Sequence, residues 1–203
     1  MGVVGEKIYF ELRGVSCLNL ELLPSNKKSC CVSRSFNKPL EKLNDLEESI
    51  SSYAVRVAEK IREEKLVSES MNVFLLTNHF NKREKQYSNS IKLQLSFPTN
   101  DSIKIVKRAL EGIRQIYRSG YRYKKAGIIL YELNRASEIR GLLDVDRDKS
   151  DFMMKTIDQI NYRYGSSTIK LASEGIKKKW SMKREKISSC YTTRFDELLE
   201  VLC

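Results

Sequence analysis

Apolar residues recur at two periods along this chain, and the switches between them predict its elements. Lys28 to Ser35 reads as a strand centred on Cys31 and Val32. Leu43, Leu46, Ile50, Tyr53, Val57 and Ile61 follow at spacings of three and four. That spacing predicts a helix of about five turns with one apolar stripe, and Asn37 or Asn44 could cap its start. Met71 to Thr77 predicts a buried strand, and residues 78–89 a polar, basic loop. From Ser90 to Phe97 the alternation is clean. Ile91, Leu93, Leu95 and Phe97 fall on one side and Lys92, Gln94 and Ser96 on the other, as in a sheet with one wet face. Pro98 is the expected stop. Thr99 to Asp101 can cap a second helix with the stripe Ile103, Val106, Leu110, Ile113 and Tyr117, halted by Gly120. Tyr121 to Leu133 predicts the last strand.

The order is β-α-β-β-α-β over residues 28–134. It predicts an α+β fold: a four-stranded, antiparallel-rich sheet with two helices on one face. The opposite face is expected to be polar and basic, and so to want a ligand. Ahead of this unit, Ile8, Leu12 and Val15 share a helical face with Gly14 as a stop, so residues 1–24 read as the end of a helix plus a connector. Residues 135–150 read as an acidic linker. Residues 151–203 form a small α/β tail: a helix over Asp151 to Arg163, a turn at Gly165 to Ser167, a strand from Thr168 to Ala172, and a basic end holding the only Trp, Trp180. The domain division expected is therefore 1–24, 25–134, 135–150 and 151–203. The tail is too short for a large core and should lean on a neighbour.

Charge sharpens this picture. Thirty-seven Lys and Arg against 26 Asp and Glu leave a net +11 over 203 residues, and the excess is segregated. Residues 41–69 hold five basic and eight acidic side chains, residues 76–125 twelve and three, and residues 161–194 nine and two. Two basic regions follow an acidic one, which points to a polyanion or to a plain solvated surface. No apolar run nears the roughly 20 residues of a spanning helix, and the N-terminus carries charges where a signal peptide is apolar. No membrane partner is expected. Five cysteines without a C-x-x-C pair fit a reducing cytoplasm better than a disulfide framework or zinc site. The single histidine, His79, has no nucleophile and base beside it. Asp144, Asp146 and Asp148 lack the Gly and closing Glu of a calcium loop and read as linker charge.

Three stretches carry a family resemblance across the whole chain. "VVGEKIYFELRGVSCLNLE" (Val3 to Glu21) resembles the end of a thumb domain. "CVSRSF" (Cys31 to Phe36) with "VFLLTNHFNKREKQYSNS" (Val73 to Ser90) resembles a little-finger domain, whose family fold has the order read above. "NYRYGSSTIKLAS" (Asn161 to Ser173) with "KWSMKREKISSCYTTRFDEL" (Lys179 to Leu198) resembles a C-terminal tail domain. Together they are similar to the C-terminal half of Y-family translesion DNA polymerases of the UmuC type. The resemblance implies sequence-nonspecific binding of damaged DNA in SOS mutagenesis. It also implies tail contacts to the accessory SOS polymerase subunit and the recombinase filament.

Family members have a palm that holds two magnesium ions for phosphoryl transfer, and no stretch of this chain resembles it. No cofactor or catalytic residue is expected, and the chain is not expected to be an enzyme by itself. The family's sliding-clamp peptide starts with Gln and ends with Leu-Phe. Here Ile139, Arg140, Gly141, Leu142 and Leu143 stand in its place, so the clamp is a doubtful partner.

The residues expected on DNA are Ser33, Arg34 and Ser35 on the first strand and Thr77, Asn78, Lys82, Arg83, Lys85, Gln86, Tyr87, Ser88 and Asn89 in the loop. They are donors suited to phosphate oxygens, which position a protein without reading bases. Tyr87 reads equally as a half-buried loop aromatic. In the tail, Arg163, Tyr164, Lys178, Lys179, Trp180, Lys183, Arg184 and Arg194 could meet DNA or a partner, with Trp180 favoured as a core or docking residue. Half of a split polymerase, a gene remnant and a basic RNA-binding protein remain the alternatives.

Overall fold

The computed structural model describes residues 2–18, 27–138, 147–176, 178, 180–182 and 187–198, with backbone only at 147 and 148. Helix α1 (Val3–Leu12) buries none of its side chains. Gly14, at φ +81°, closes it. There the Gly14 N–H donates to the Glu11 carbonyl and the Val15 N–H to the Phe10 carbonyl, both at 3.0 Å, the paired bonds that a left-handed residue permits.

The central unit runs β1 (Ser29–Leu40), α2 (Leu43–Glu63), β2 (Leu66–Thr77), β3 (Ser88–Thr99), α3 (Ser102–Ile116) and β4 (Tyr123–Arg135). The strands lie in the order β1-β4-β2-β3, every neighbour antiparallel. Both helices cover one face. Val32, Met71, Val73, Leu75, Leu93, Ala126, Ile128 and Leu130 from the sheet meet Leu46, Ile50, Ala54, Val57 and Ile61 of α2 and Ile105, Ala109, Ile113 and Ile116 of α3. The expected α+β order and sheet are those observed.

Several local expectations are corrected. Neither Asn37 nor Asn44 caps α2; Lys42 occupies the position without a side-chain bond. Asp101 does cap α3, accepting from the Ile103 and Lys104 N–H groups. The buried face of α3 is rotated from the expected stripe. It keeps Val106 and Ile113 of that stripe and adds Ile105, Ala109, Gly112 and Ile116, while Ile103 is exposed. A Cβ on Gly112 would lie 2.6 Å from Leu93 Cδ1, so small residues set the helix–sheet approach that a search for large apolar ones misses. Helix α3 ends at Ile116, before Gly120.

Pro98 does not end β3, which continues to Thr99. Between the Ser68–Thr99 and Ser70–Gln94 pairs, one residue of β2 (Glu69) stands against four of β3 (Leu95 to Pro98). An edge strand tolerates the missing N–H in such an irregularity. Pro39 lies in a similar break in β1, between Ser35 and Leu40.

The tail holds α4 (Arg147–Tyr164) and two short 3-10 turns, Ala172–Glu174 and Phe195–Glu197. The strand expected over Thr168 to Ala172 does not form. Asn161 takes its place as a hydrogen-bond partner: its side-chain amide accepts the Ile169 N–H at 2.8 Å and donates to the Ile169 carbonyl at 3.0 Å. As expected, the tail leans on the central unit. Trp180 is buried, edge-on to Tyr53 of α2 with ring centroids 5.5 Å apart.

Candidate nucleic-acid interface

The strand register defines the face that the helices leave open. Its rows are Ser29–Tyr131–Ser70–Gln94, Cys31–Ile129–Asn72–Lys92, Ser33–Gly127–Phe74–Ser90 and Ser35–Lys125–Leu76–Ser88. The edge strands contribute mostly hydroxyls and amides. The central strands contribute the half-buried Phe74, Leu76, Ile129 and Tyr131. The face is therefore not simply polar and basic. Residues 71–77, read as a buried run, alternate between core and open face. Gly127 makes a dip between Ser33 and the Phe74 ring: a Cβ there would lie 2.4 Å from Ser33 Cβ and 2.5 Å from Phe74 Cζ.

Cations gather at one end of this face. The loop between β2 and β3 brings Lys82, Arg83 and Lys85, all exposed. The register places Lys38 of β1 and Lys125 of β4 at the same end, near the Leu40–Tyr123 and Ser35–Lys125 pairs. None of these five has an ion-pair partner among the described residues. Arg122 and Lys124 lie there too, but are engaged. Arg122 pairs with Glu84 at 2.5 Å, and Lys124 Nζ donates to the Phe36 carbonyl at 2.7 Å. At the far end, Lys92 pairs with Glu132 at 3.0 Å. Lys92 holds the Glu132 carboxyl below its ordinary range. Glu132 adopts φ +54°. The excess charge thus belongs to the loop end.

The expected DNA residues separate into three groups. Ser33 and Ser35 are in the open-face rows, and Lys82, Arg83, Lys85 and Ser88 are exposed around them. Thr77, Gln86 and Tyr87 build the loop instead. The buried Thr77 hydroxyl accepts the Tyr87 N–H at 2.9 Å. Gln86 Nε2 reaches the carbonyls of Asn78, Asn81 and Glu84 at 3.1, 2.8 and 3.1 Å. The Tyr87 hydroxyl donates to the Ile116 carbonyl at 2.7 Å, and its ring stacks 4.9 Å from Tyr121. Asn78 and Asn89 also brace the loop, through the Phe80 and Ser90 N–H groups. Arg34 stands apart. Successive side chains alternate, so it shares the helix side of β1 with Val32, not the open face with Ser33 and Ser35.

Sequence reasoning missed Lys38, Lys125 and Phe80. Phe80 is 83% exposed at the loop tip, with the His79 ring 3.9 Å away. Lys38 lay beyond the expected end of its strand at Ser35, and Lys125, inside its expected strand, was signalled only by parity.

Lys178 donates to Ser52 Oγ at 2.9 Å, and Arg194 pairs with Glu197 at 2.8 Å. Arg163 is exposed, 5.5 Å from the Tyr164 ring. Lys179, Lys183 and Arg184 lie outside the described residues, as do Ile139, Leu142 and Leu143 of the clamp-like peptide. Among the described residues, no group of three His, Cys, Asp or Glu is placed to hold a metal, and no helix is long and apolar enough to cross a membrane.

Comparison with known proteins fits this architecture. Residues 27–142 match the impB/mucB/samB family C-terminal domain, and residues 152–201 match a domain of unknown function, DUF4113. The chain is 36% identical over 202 residues to protein UmuC of Salmonella typhimurium, covering 98% of this chain and 48% of that protein. It is 35% identical to protein ImpB of Salmonella typhimurium over 97% of this chain and 47% of that protein. Protein MucB of Escherichia coli is 34% identical over 95% of this chain and 46% of its own length. The chain spans about half the length of the curated relatives it matches. With the sheet, its two helices and the tail all accounted for by these matches, the UmuC-type resemblance is established, and the chain belongs to the impB/mucB/samB family.

Proposed function

We propose that residues 27–138 are a sequence-nonspecific DNA-binding module, of the little-finger kind, from a translesion polymerase acting in SOS mutagenesis. The observation that carries the reading is the set of five cations at one end of the open sheet face that have no ion-pair partner among the described residues. Lys82, Arg83, Lys85, Lys38 and Lys125 would straddle phosphates, while Ser33, Ser35, Ser88 and Ser90 offer hydroxyls along the sheet. These donors favour the backbone, which every sequence shares, and a polymerase that follows damaged templates needs that indifference. The exposed Phe152, Tyr162 and Phe195 of the tail suit docking to a protein, such as the accessory subunit or the recombinase filament.

Two measurements test the reading. In fluorescence anisotropy, two unrelated duplexes should bind with equal affinity, and log affinity should fall against log salt with a slope of about −4 to −5, the value for roughly five phosphate contacts. A strong preference for one duplex, or a flat salt response, would refute it. Primer extension with magnesium and four nucleotides should show no incorporation by these 203 residues, because phosphoryl transfer of this kind needs a two-metal carboxylate site. Incorporation abolished by a substitution in this chain would overturn that assignment.

A further inference from the structure

Behind β1, on the side of the sheet that the helices cover, lies a groove of ≈ 690 Å³. The β1 edge, α2 and the tail form its walls, and Arg34, Tyr53, Ser167, Lys178 and Trp180 are among its lining. Two of its cations are already matched: Arg56 pairs with Glu59 at 2.8 Å and Lys178 with Glu174 at 3.7 Å. Arg34 has no ion-pair partner among the described residues, so one full positive charge is left over on an exposed guanidinium.

Two of the residues that line the groove also carry buried polar atoms. Tyr53 is 4% and Trp180 6% exposed, and the buried Tyr53 hydroxyl and Trp180 Nε1 have no hydrogen-bond partner among the described residues. Such orphaned donors are rare in folded proteins. Arg34 is near enough to Tyr53 to oppose the rise that burial causes in the phenol's pKa.

We infer that this groove is a subsite for one phosphodiester group of a nucleic acid, held by the Arg34 guanidinium and completed by the tail. The inference rests on the DNA-binding reading and extends its contact path. A single leftover charge among donors matches the single negative charge of a phosphodiester, and a guanidinium fork fits two of its oxygens. The route is continuous: Ser35 lines the groove and also starts the open-face row with Lys125. A strand leaving the open face over the β1 edge would meet Arg34 next. This gives the tail a purpose in binding, since Trp180 and Lys178 come from a segment more than a hundred residues away in sequence.

Trp180 is the chain's one tryptophan, so its emission reports on the groove alone. Titration with a single-stranded oligonucleotide should give a saturable change in that emission. The same oligonucleotide with uncharged methylphosphonate linkages should give none. Arg34→Gln should weaken the response at least tenfold. A response to both oligonucleotides would mean base contact rather than phosphate capture and would overturn the proposal, as would a response unchanged in Arg34→Gln. Duplex binding by anisotropy with no Trp180 response would retire the groove and leave the open-face reading; loss of both signals would retire both.

Discussion

Replacing Lys82, Arg83 and Lys85 together by glutamine should weaken duplex binding on the order of a hundredfold at 0.1 M salt and flatten the salt slope by about 2.7 units. The size follows from counterion release. Each phosphate contact contributes about 0.9 to the slope, so each is worth nearly a decade in affinity on going from molar to 0.1 M salt. Three such contacts would account for two to three decades. The loss should be equal for unrelated sequences, since phosphates carry no base identity. The fold should be unaffected, because these side chains are exposed and the loop is held by Gln86 and Thr77. Anisotropy across a salt series, with circular dichroism as a fold control, gives both numbers. An unchanged slope in the triple variant would remove the loop from the interface.

Asp158→Ala should release α4 from the central unit without unfolding the sheet. Arg62 of α2 is only 9% exposed at its side chain, and its Nε and Nη2 donate to the two Asp158 carboxylate oxygens at 2.7 and 2.8 Å. Nη1 is held by the Asn100 carbonyl at 2.6 Å and Ser102 Oγ at 2.8 Å. Removing the carboxylate leaves half of a nearly buried guanidinium without acceptors, a penalty of about 3 kcal/mol. Water can relieve it if α4 lifts away, since the remaining described anchors there are few: the Ser150–Asp101 bond at 2.5 Å and buried Met154. The docked fraction should fall by a factor of about 150, the equivalent of that penalty. Trypsin cleavage at Lys149, Lys155 and Arg163 should accelerate accordingly, while amide protection in β2 and β4 stays at wild-type level. Cleavage rates within twofold of wild type would show that other contacts hold α4.

The basic loop end and the α4 latch differ in how far the chain itself announces them. Periodicity alone determined the β-α-β-β-α-β order, because a buried face imposes period two on a strand and near 3.6 on a helix. The alternation of Ile91, Leu93 and Leu95 and the stripe from Leu46 to Ile61 are instances that needed no partner to be seen. The loop cations Lys82, Arg83 and Lys85 were legible too, since contiguous charge between two strands has nowhere to go but the surface.

Pairing decided the rest. Whether Arg34 faces DNA or the helices depends on register, and a one-residue shift moves a strand side chain to the other face. Lys38 and Lys125 join the loop end only because β1 lies beside β4, a neighbour about a hundred residues later. The rotated face of α3 came from the close approach that Ala109 and Gly112 allow, a property of the space between elements. The Arg62–Asp158 pair and the Tyr53–Trp180 contact likewise join residues far apart in sequence. Local pattern records what a residue must hide from water, and only the packed chain determines against what.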